Sequence, residues 1–555
     1  MREHWLKIVR DNDSRVDWFL ETMDRDPRSS TRGGVMMGTK YRDPKPTMMF
    51  MSAALAAFLN LDSRYHGNAC IPESAMLALG YAARVQNDDG TFNFTPVNFR
   101  SPPDTAFIVN RMVVAYDLLS LAGSRAGLDA LLEPMLAIIR RAAAGMSTLG
   151  FHTPNHRWAL AAALMSCARL LGDDAFKAAA DRLLAEGIDC DADGEYAERS
   201  AGNYNTVNNE QMISLADSRK DPAFLECACR NLSMMRYYVE PDGSVFTGNS
   251  TRQDRGARAW LDPYWYHYYL VGRRLQRTDF LSMARGIMSS VVESSREAPD
   301  CLDRLMLEGA PIDYGTEQAP AFVSYEKHFA ESRIVRLRRG PWSCTLLANA
   351  GTFLFFRSDS VAASLRLGVT YFEHREFRAG SIDRRGDAWV LSGIMKGWYY
   401  LPFDEPPKTS DWWKMDHTKR RKIEGPDLAF SVKVRERPQG DGVEVDTEIA
   451  GWKGVPVRFE IHLGPGAMLE GDSFALDARP GEAMQVTSGI LRARQDLDVM
   501  AIGPFFAEHH ETVGVYDDEG SRRDLFTVYA TAFTPVRRSL AFRRVPWTGD
   551  PDRTE

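Results

Sequence analysis

Apolar side chains recur every three to four residues from Met48 to Ser294, which is the spacing of one buried face of an α-helix. The first such stripe contains Ala53, Ala56 and Leu59 together with Phe58. After it, the pattern predicts successive helices over residues 74–85, 106–121, 128–144, 156–171, 174–185, 206–219, 222–238, 257–276 and 279–294. This part of the chain is therefore expected to be helical throughout.

Short polar residues and glycines mark the ends of several predicted helices. Asp104 and Asp174 precede apolar runs, where a carboxylate accepts hydrogen bonds from the free N–H groups of a first turn. Gly172 and Gly187 follow such runs, where glycine adopts the left-handed conformation that ends a helix. These residues set the expected boundaries.

One turn pattern returns along the helical region: Asp-Gly, one residue, then an apolar or aromatic residue. It occurs at 89–92, 193–196 and 242–245. The first separation is about twice the second, which indicates a repeat of about fifty residues with two helices in each copy. A degenerate fourth copy is expected at 145–151. Such a period predicts a stacked or closed array of helical hairpins.

After Ser332 the chain changes to short alternating runs separated by glycine and proline turns. Strands are predicted over residues 334–338, 343–347, 352–357, 362–369, 389–391, 429–434, 443–448, 457–463, 484–487, 497–503 and 525–530. Many short strands of this kind predict an antiparallel β-sandwich. A segment with several prolines, 296–330, is expected to link it to the helices.

The expected organisation is α + β and multidomain. It consists of a lead-in over 1–45 with a short helix near Trp5, a helical domain over 46–325, a sandwich over 326–546 and a tail over 547–555. A chain of 555 residues is too long for one core, and a net charge of −7 argues against general nucleic-acid binding.

The remaining composition is that of a soluble globular chain. No run approaches eighteen uninterrupted apolar residues, so no membrane span is expected. The N-terminus lacks a secretory signal pattern, which predicts a cytoplasmic protein. The seven cysteines do not follow a zinc-binding spacing, so we expect reduced thiols. The oligomeric state is left open.

If the repeats are equivalent, the loops that enter successive helices lie at one end of the array. They carry Asn98 and Arg100, then His152, Asn155 and His156, then Asn203, Tyr204 and Asn205, then Asn249, Arg252, Gln253 and Asp254. Loops held on a rigid scaffold commonly carry a functional site. A polar and aromatic rim is therefore expected there.

Three places in the chain resemble motifs of a known family. They are Thr-Pro-Asn-His-Arg-Trp at 153–158, Glu-Arg-Ser-Ala-Gly-Asn-Tyr at 198–204, and the pair of segments 335–340 and 371–377. With them, the chain from about residue 45 onward resembles the heparinase II/III-like polysaccharide lyases. One extra residue separates Ser200 from the tyrosine, and the family's His-x-His-x-Asp run is absent.

The resemblance implies an incomplete (α/α) toroid followed by a β-sandwich, and cleavage next to a uronic acid by β-elimination. In that chemistry Asn155 and His156 would neutralise the sugar carboxylate at a helix N-terminus. Tyr204 would be the general acid, with a role as base left open. Otherwise His156 or His374 would be the base. The expected partner is a uronic-acid-containing oligosaccharide or polysaccharide.

Further residues are candidates for substrate binding because they are cationic, aromatic or amide side chains near these motifs or in the irregular segment 402–422. They are Asn98, Arg100, Arg157, Trp158, Arg199, Asn203, Arg252, Tyr264, His267, Tyr268, Trp413 and His417. No cofactor is expected to be required. A divalent metal in the sandwich is left open: His328, His374, His417 and His462 could supply ligands, but no spacing demands one.

Other readings stay open on the sequence. A glycoside hydrolase would use two carboxylates drawn from Asp104, Glu195, Glu198, Glu210 and Asp254. A non-catalytic carbohydrate-binding protein would need neither carboxylates nor Tyr204. Asn155 could be only a helix cap, and His156 and Tyr204 could be only packed side chains with bonded polar atoms.

Overall fold

The computed structural model describes residues 1–36, 41–95, 97–123, 128–148, 150–309, 311–511 and 524–546. The chain forms two compact units. The helical unit comprises Met1–Arg236 and Val245–Pro320, and the sandwich unit comprises Tyr237–Ser244 and Ala321–Glu555. The predicted tail, 547–555, lies outside the described residues.

The first part of the chain is built from helices joined by short loops. The helices are α1 Arg2–Thr22, α2 Pro44–Leu59, α3 Cys70–Val85, α4 Pro102–Ala122, α5 Asp129–Met146, α6 Pro154–Leu171, α7 Asp174–Leu184, α8 Tyr204–Arg219, α9 Pro222–Met235, α10 Trp265–Arg274, α11 Thr278–Glu293 and α12 Leu302–Glu308. Four short strands lie between them: β1 Phe92–Phe94, β2 Asn98–Ser101, β3 Ser244–Val245 and β4 Ala259–Trp260.

The helices pack as successive hairpins. Helices α2 and α3, α4 and α5, α6 and α7, α8 and α9, and α10 and α11 contact each other in pairs, and α2, α4, α6 and α8 also pack in a row. Helix α1 contacts both α2 and α11, so the row returns toward its beginning. The predicted array of helical hairpins is confirmed. The helices of the row, α2, α4, α6 and α8, are called the inner helices, and their N-terminal ends carry the candidate site.

The three predicted Asp-Gly turns share one backbone conformation. In each, the glycine has a positive φ: +86° at Gly90, +99° at Gly194 and +80° at Gly243. A side chain at Gly90 would meet the carbonyl oxygen of Arg141 at 1.9 Å, and one at Gly194 would meet that of Arg230 at 2.5 Å. Glycine is required both for the turn and for its contact with the helix behind it, which is α5 for Gly90 and α9 for Gly194.

The predicted fourth turn is wrong. Gly145 lies inside α5. A Cβ there would come within 2.6 Å of the carbonyl oxygen of Asp89, so this glycine permits close packing of the helix against the first Asp-Gly turn. The described residues near 150 lead directly into α6.

Several predicted helix limits need correction. Ser101 caps α4 and Asp104 lies in its first turn: the Ser101 hydroxyl accepts from the backbone N–H of Asp104 at 3.3 Å and donates to the Asp104 carboxylate at 2.6 Å. Asp173, not Asp174, caps α7. The helix predicted over 257–276 begins only at Trp265, and the predicted linker 296–330 contains α12.

Helix α4 is also long and apolar enough to cross a membrane by length and composition alone, and half of that apolar window is buried inside the protein. It packs against α2, α5 and α6 and carries Asp104 and Arg111. These are features of a core helix.

In the described part of the second unit, neighbouring strands pair antiparallel except for Ala483–Gln485 and Phe526–Phe533, which are parallel. Its strands are β5 Ser324–Phe329, β6 Ile334–Arg339, β7 Trp342–Leu347, β8 Thr352–Arg357, β9 Ala362–Tyr371, β10 His374–Glu376, β11 Ser381–Arg385, β12 Ala388–Tyr400, β13 Lys422–Glu436, β14 Gly442–Gly451, β15 Pro456–Leu463, β16 Met468–Gly471, β17 Phe474–Asp477, β18 Ala483–Gln485, β19 Ser488–Gln495, β20 Asp498–Phe506, β21 Phe526–Phe533 and β22 Val536–Pro546.

These strands form two large sheets. One has the order β18-β21-β15-β9-β8-β7-β6-β5 with β10 beside β9, and the other has the order β11-β12-β13-β14-β22-β20-β19-β16-β17. Buried apolar side chains from both sheets, such as Phe356 and Phe542, form one core. The predicted sandwich is confirmed. Strands β5, β10, β11, β16, β17, β19 and β22 were not predicted, and β5 lies within the predicted linker.

Candidate functional site

The candidate site lies where the N-terminal ends of α2, α4, α6 and α8 meet the loop before β4. Each element contributes one or two side chains with hydrogen-bonding or charged groups. They are Lys45 from α2, Asp104 and Phe107 from α4, Asn155 and His156 from α6, Tyr204 from α8, and Arg252, Gln253 and Asp254 from the loop. The expected gathering of loop residues at one end of the array therefore occurs around Asn155 and Tyr204.

The loop before α8 is held in place by Asp254. This carboxylate accepts hydrogen bonds from the hydroxyl of Ser200 at 2.9 Å, the hydroxyl of Ser250 at 2.6 Å and the backbone N–H of Gly202 at 2.9 Å. The Ser200 hydroxyl in turn accepts from the backbone N–H of Tyr204 at 3.0 Å. The position of the tyrosine thus depends on one buried carboxylate.

The loop is also supported from inside the helical core. The hydroxyl of Tyr264 donates to the carbonyl of Ala201 at 2.5 Å, and Tyr264 is only 1% exposed. Burial raises the pKa of Tyr264 well above its usual range, so the hydroxyl keeps its proton and remains a donor. Tyr264, a predicted binding residue, is placed beneath the loop.

The phenol of Tyr204 faces polar groups. Its hydroxyl accepts a hydrogen bond from Nε2 of Gln253 at 2.9 Å, and the guanidinium carbon of Arg252 lies 5.1 Å from the ring centroid. Nε of Arg252 is also 3.6 Å from Oε1 of Glu198. Arg252 therefore connects the ring of Tyr204 with the adjacent carboxylate of Glu198.

Asn155 is bound to Glu198 at the start of α6. Its backbone N–H donates to Oε2 of Glu198 at 3.2 Å, and its Nδ2 donates to Oε1 at 2.7 Å and to the hydroxyl of Thr153 at 3.0 Å. Burial raises the pKa of Glu198, while the Asn155 hydrogen bond and the Arg252 charge oppose that shift. The chain's own carboxylate thus occupies the anion-binding end of α6.

His156 packs edge-on against two rings. The ring centroids of Phe107 and His152 lie 6.1 Å and 5.9 Å from its own. Burial, the largest effect, lowers the pKa of His156 to about 4; the charge of Asp104 opposes that shift, and the charges of Lys45 and Arg252 act in the same direction as burial. Within the described part of the chain, Nδ1 is buried without a hydrogen-bond partner. His156 is therefore neutral at neutral pH and able to accept a proton.

Lys45 is a site residue that sequence reasoning missed. Its Nζ lies 4.3 Å from the ring centroid of Phe107 and 5.6 Å from that of Phe94. Burial lowers its pKa, and Asp104 and then Asp43 oppose that change. The usable signal was the segment 43–46, because Asp43 caps α2 and proline is common in a first helical turn.

Several predicted binding residues are engaged inside the helical unit. Arg157 is 2% exposed, pairs with Glu186 at 2.9 Å and stacks on Trp158. The Trp158 indole donates to Asp189 at 2.9 Å. Tyr268 is fully buried and donates to the carbonyl of Leu232, and His267 is 3% exposed. The placement of these side chains favours a structural role, and their part in binding stays a prediction.

The other predicted binding residues of the helical unit lie nearer the surface. Asn98 donates to Asp104 at 3.1 Å, and the guanidinium of Arg100 pairs with Asp88 and Asp89. Arg199 is partly exposed, with a positive φ of 48°, and Asn203 is exposed just before α8. Of these predicted residues, Arg252 lies over the Tyr204 ring, with its guanidinium carbon 5.1 Å from the ring centroid.

The predicted residues of the sandwich unit lie next to backbone carbonyls or are exposed. Nε2 of His374 lies 3.2 Å from the carbonyl oxygen of Lys396, and Nε2 of His417 lies 2.8 Å from that of Trp412. Trp413 is 90% exposed on a short 3₁₀ turn. Across the described ranges, no group of three or more His, Cys, Asp or Glu side chains is arranged to hold a metal ion.

Two buried histidines give a pH-dependent stability that can be measured. Burial lowers the pKa of His267, like that of His156, to about 4. The unfolded chain takes up these protons near pH 6.5, so stability is lost as pH falls from about 6.5 toward 4. In thermal unfolding across this range, His267→Gln should show a smaller fall in midpoint than wild type. An equal fall in both proteins would contradict the prediction.

Of the comparisons with known proteins, the one with solved structures identifies the fold. No family model matches the chain, and no curated protein matches it. The match to a crystal structure of heparinase III covers 99% of this chain and 86% of the heparinase chain, with 13% sequence identity and a TM-score of 0.58. The match to a Paenibacillus xanthan lyase covers 98% of this chain and 57% of the xanthan lyase chain, with 10% sequence identity and a TM-score of 0.56.

A second heparinase III, with methylated lysines, covers 98% of this chain and 86% of its own, with 10% identity and a TM-score of 0.54. At these identities the likeness shows the fold alone. The chain has the fold of the heparinase-like polysaccharide lyases, a helical toroid with a β-sandwich. The predicted fold class and the resemblance on which it was based are confirmed at this level.

Proposed function

We propose that this protein is a polysaccharide lyase that cleaves the glycosidic bond next to a uronic acid by β-elimination. The fold of the lyases described above supports the reaction class. The observation that carries the proposal is the grouping of Tyr204, Arg252, Glu198, Asn155 and His156 at the N-terminal ends of adjacent inner helices.

Elimination removes the C5 proton of the uronate and breaks the C4–O bond. Tyr204 suits the protonation of the leaving oxygen, because its hydroxyl accepts from Gln253 and its own proton is left for another acceptor. His156 is neutral and can accept the C5 proton, and a substrate anion bound beside it would raise its basicity from the value that burial sets. Whether Tyr204 also serves as the base remains part of the proposal to be tested.

Asn155 and His156 define the carboxylate end of the proposed site. Both N–H bonds of the Asn155 amide group are occupied, by Glu198 and by Thr153. Asn155 can therefore contact a substrate carboxylate only if one of these bonds is given up. In the state described, its role is to fix Glu198 and, through that carboxylate, Arg252.

The candidate carboxylates of a glycoside hydrolase are each bonded within the chain. Asp254 accepts three hydrogen bonds, Glu198 accepts from Asn155, and Glu195 accepts from Asn249 at 3.0 Å. Asp104 accepts from Ser101 at 2.6 Å, and Glu210 pairs with Arg304 at 2.5 Å. These partners favour structural roles, so we propose the lyase in preference to the hydrolase.

The deciding experiment is a panel of uronic-acid oligosaccharides monitored for new near-ultraviolet absorbance. Elimination creates an unsaturated uronate that absorbs there, whereas hydrolysis does not. Cleavage with absorbance supports the lyase, and cleavage without it supports the hydrolase. Binding of sugar with no product from any member would support a non-catalytic carbohydrate-binding protein.

Glu198→Gln separates the two enzyme classes further. The amide keeps an acceptor for Nδ2 of Asn155 but loses the charge beside Arg252, so we expect a loss of activity of at most about 100-fold through misplacement of the site. A hydrolase that uses Glu198 would lose all activity. Initial rates of the variant and of wild type on the same oligosaccharide provide the measurement.

A further inference from the structure

The proposed reaction needs a positive charge or strong donor at the substrate carboxylate. That group gains negative charge as the C5 proton leaves, and preorganised charges lower the barrier most when they face such a group. Asn155 is occupied by Glu198 and Thr153, and Arg252 lies between Glu198 and the Tyr204 ring. The main donors predicted for this task are thus already in use.

Lys45 has the properties that the task requires. It is half-buried in the first turn of α2, beside Phe94 and Phe107. Its Nζ lies 4.3 Å from the ring centroid of Phe107, and that ring in turn packs edge-on against the imidazole of His156 with 6.1 Å between the centroids. Among the described residues, no carboxylate pairs with Lys45 at salt-bridge distance, although Asp104 and Asp43 are near enough to stabilise its charge.

A purely structural role does not explain this position. A cation at a helix N-terminus opposes the helix dipole, and a desolvated ammonium without a paired anion is unfavourable. Cation–π contact with the rings of Phe94 and Phe107 offsets part of the desolvation free energy of the ammonium. A substrate anion bound next to Lys45 would offset the rest.

We propose that Lys45 binds the carboxylate of the uronic acid and neutralises it during elimination, beside His156. This inference rests on the proposed function and adds a residue and a substrate group to it. The ring of Phe107 contacts both Lys45 and His156, so the cation and the proposed base pack against the same side chain.

Lys45→Met and Lys45→Arg provide the test, with Lys327→Met as the matched control. Lys327 also lies over two aromatic rings, those of Tyr237 and Phe329, but belongs to the sandwich unit. The substrate is one uronic-acid oligosaccharide, used as the free acid and as its carboxyl methyl ester. Thermal unfolding and circular dichroism establish that each variant is folded.

Wild type should cleave the free acid faster than the ester. Lys45→Met should lower kcat/KM on the free acid by about 100-fold or more and on the ester by much less, because the ester develops enolate charge but lacks the full negative charge of the carboxylate. Lys45→Arg should recover part of the activity, and Lys327→Met should match wild type.

Equal losses on acid and ester, or wild-type kinetics in Lys45→Met, would overturn the assignment of Lys45 while leaving the lyase intact. If wild type eliminates none of the glycans, the proposed function itself fails. Equilibrium binding of the free acid and the ester then tests Lys45 alone. The same preference for the acid in wild type and Lys45→Met would refute its role. If Lys45→Met does not fold, Lys45→Gln replaces it in every measurement.

Discussion

Tyr204→Phe is expected to lower kcat for glycan cleavage by about 1000-fold, within the range that general acid–base groups contribute. The substitution removes only the hydroxyl, which accepts from Gln253, and keeps the ring beneath Arg252. Because the protein loses one exposed hydrogen bond, its thermal unfolding midpoint should change little. The rate of near-ultraviolet absorbance increase under saturating substrate gives the measurement.

Tyr65→Phe is the matched control for this substitution. The Tyr65 hydroxyl donates to Asp17 at 2.5 Å and lies after the C-terminal end of α2, away from the end that carries Lys45. Its removal should leave kcat unchanged. Tyr204→Phe with at least a tenth of wild-type kcat would refute the tyrosine as general acid, and would return attention to the carboxylates.

The architecture could be predicted because its signals are local. A positive φ and a close backbone approach demand glycine at Gly90 and Gly194, so the repeat was visible in the sequence. The error at Gly145 has the same cause, since a glycine that admits a neighbouring turn cannot be told from one that forms a turn. Helix α12 was missed because nearby prolines concealed a short helix.

The site could be predicted only in part, because contacts between distant residues are not encoded in spacing. The motifs located Asn155, His156 and Tyr204, and the structure places them at neighbouring helix ends. They could not show that Glu198 occupies the N-terminus of α6. Lys45 was lost because two prolines around it indicated a loop, although both are tolerated in a first helical turn.

Asp254→Ala is expected to impair both stability and catalysis. The carboxylate is 9% exposed and accepts from Ser200, Ser250 and Gly202, so its removal leaves three donors without their partner and should cost about 3 kcal/mol of folding free energy. Because Ser200 also holds the N–H of Tyr204, the phenol should shift, and a shift of about 1 Å costs about 100-fold in kcat.

Two further variants separate a positioning role from general instability. Asp254→Asn keeps an oxygen that accepts from both serine hydroxyls, but its NH2 group then faces the Gly202 N–H, which loses its acceptor. Its kcat and thermal midpoint should therefore both lie between those of wild type and Asp254→Ala. Asp88→Ala removes a carboxylate that is 82% exposed and pairs with Arg100, and should change neither quantity measurably.

If Asp254→Ala, assayed well below its unfolding midpoint, kept wild-type kcat, then the orientation of Tyr204 would not depend on this carboxylate. The catalytic tyrosine would have to be held by α8 itself. The opposite result, a kcat loss with KM nearly unchanged, would mean that the buried carboxylate acts on the reaction through the tyrosine and not through substrate binding.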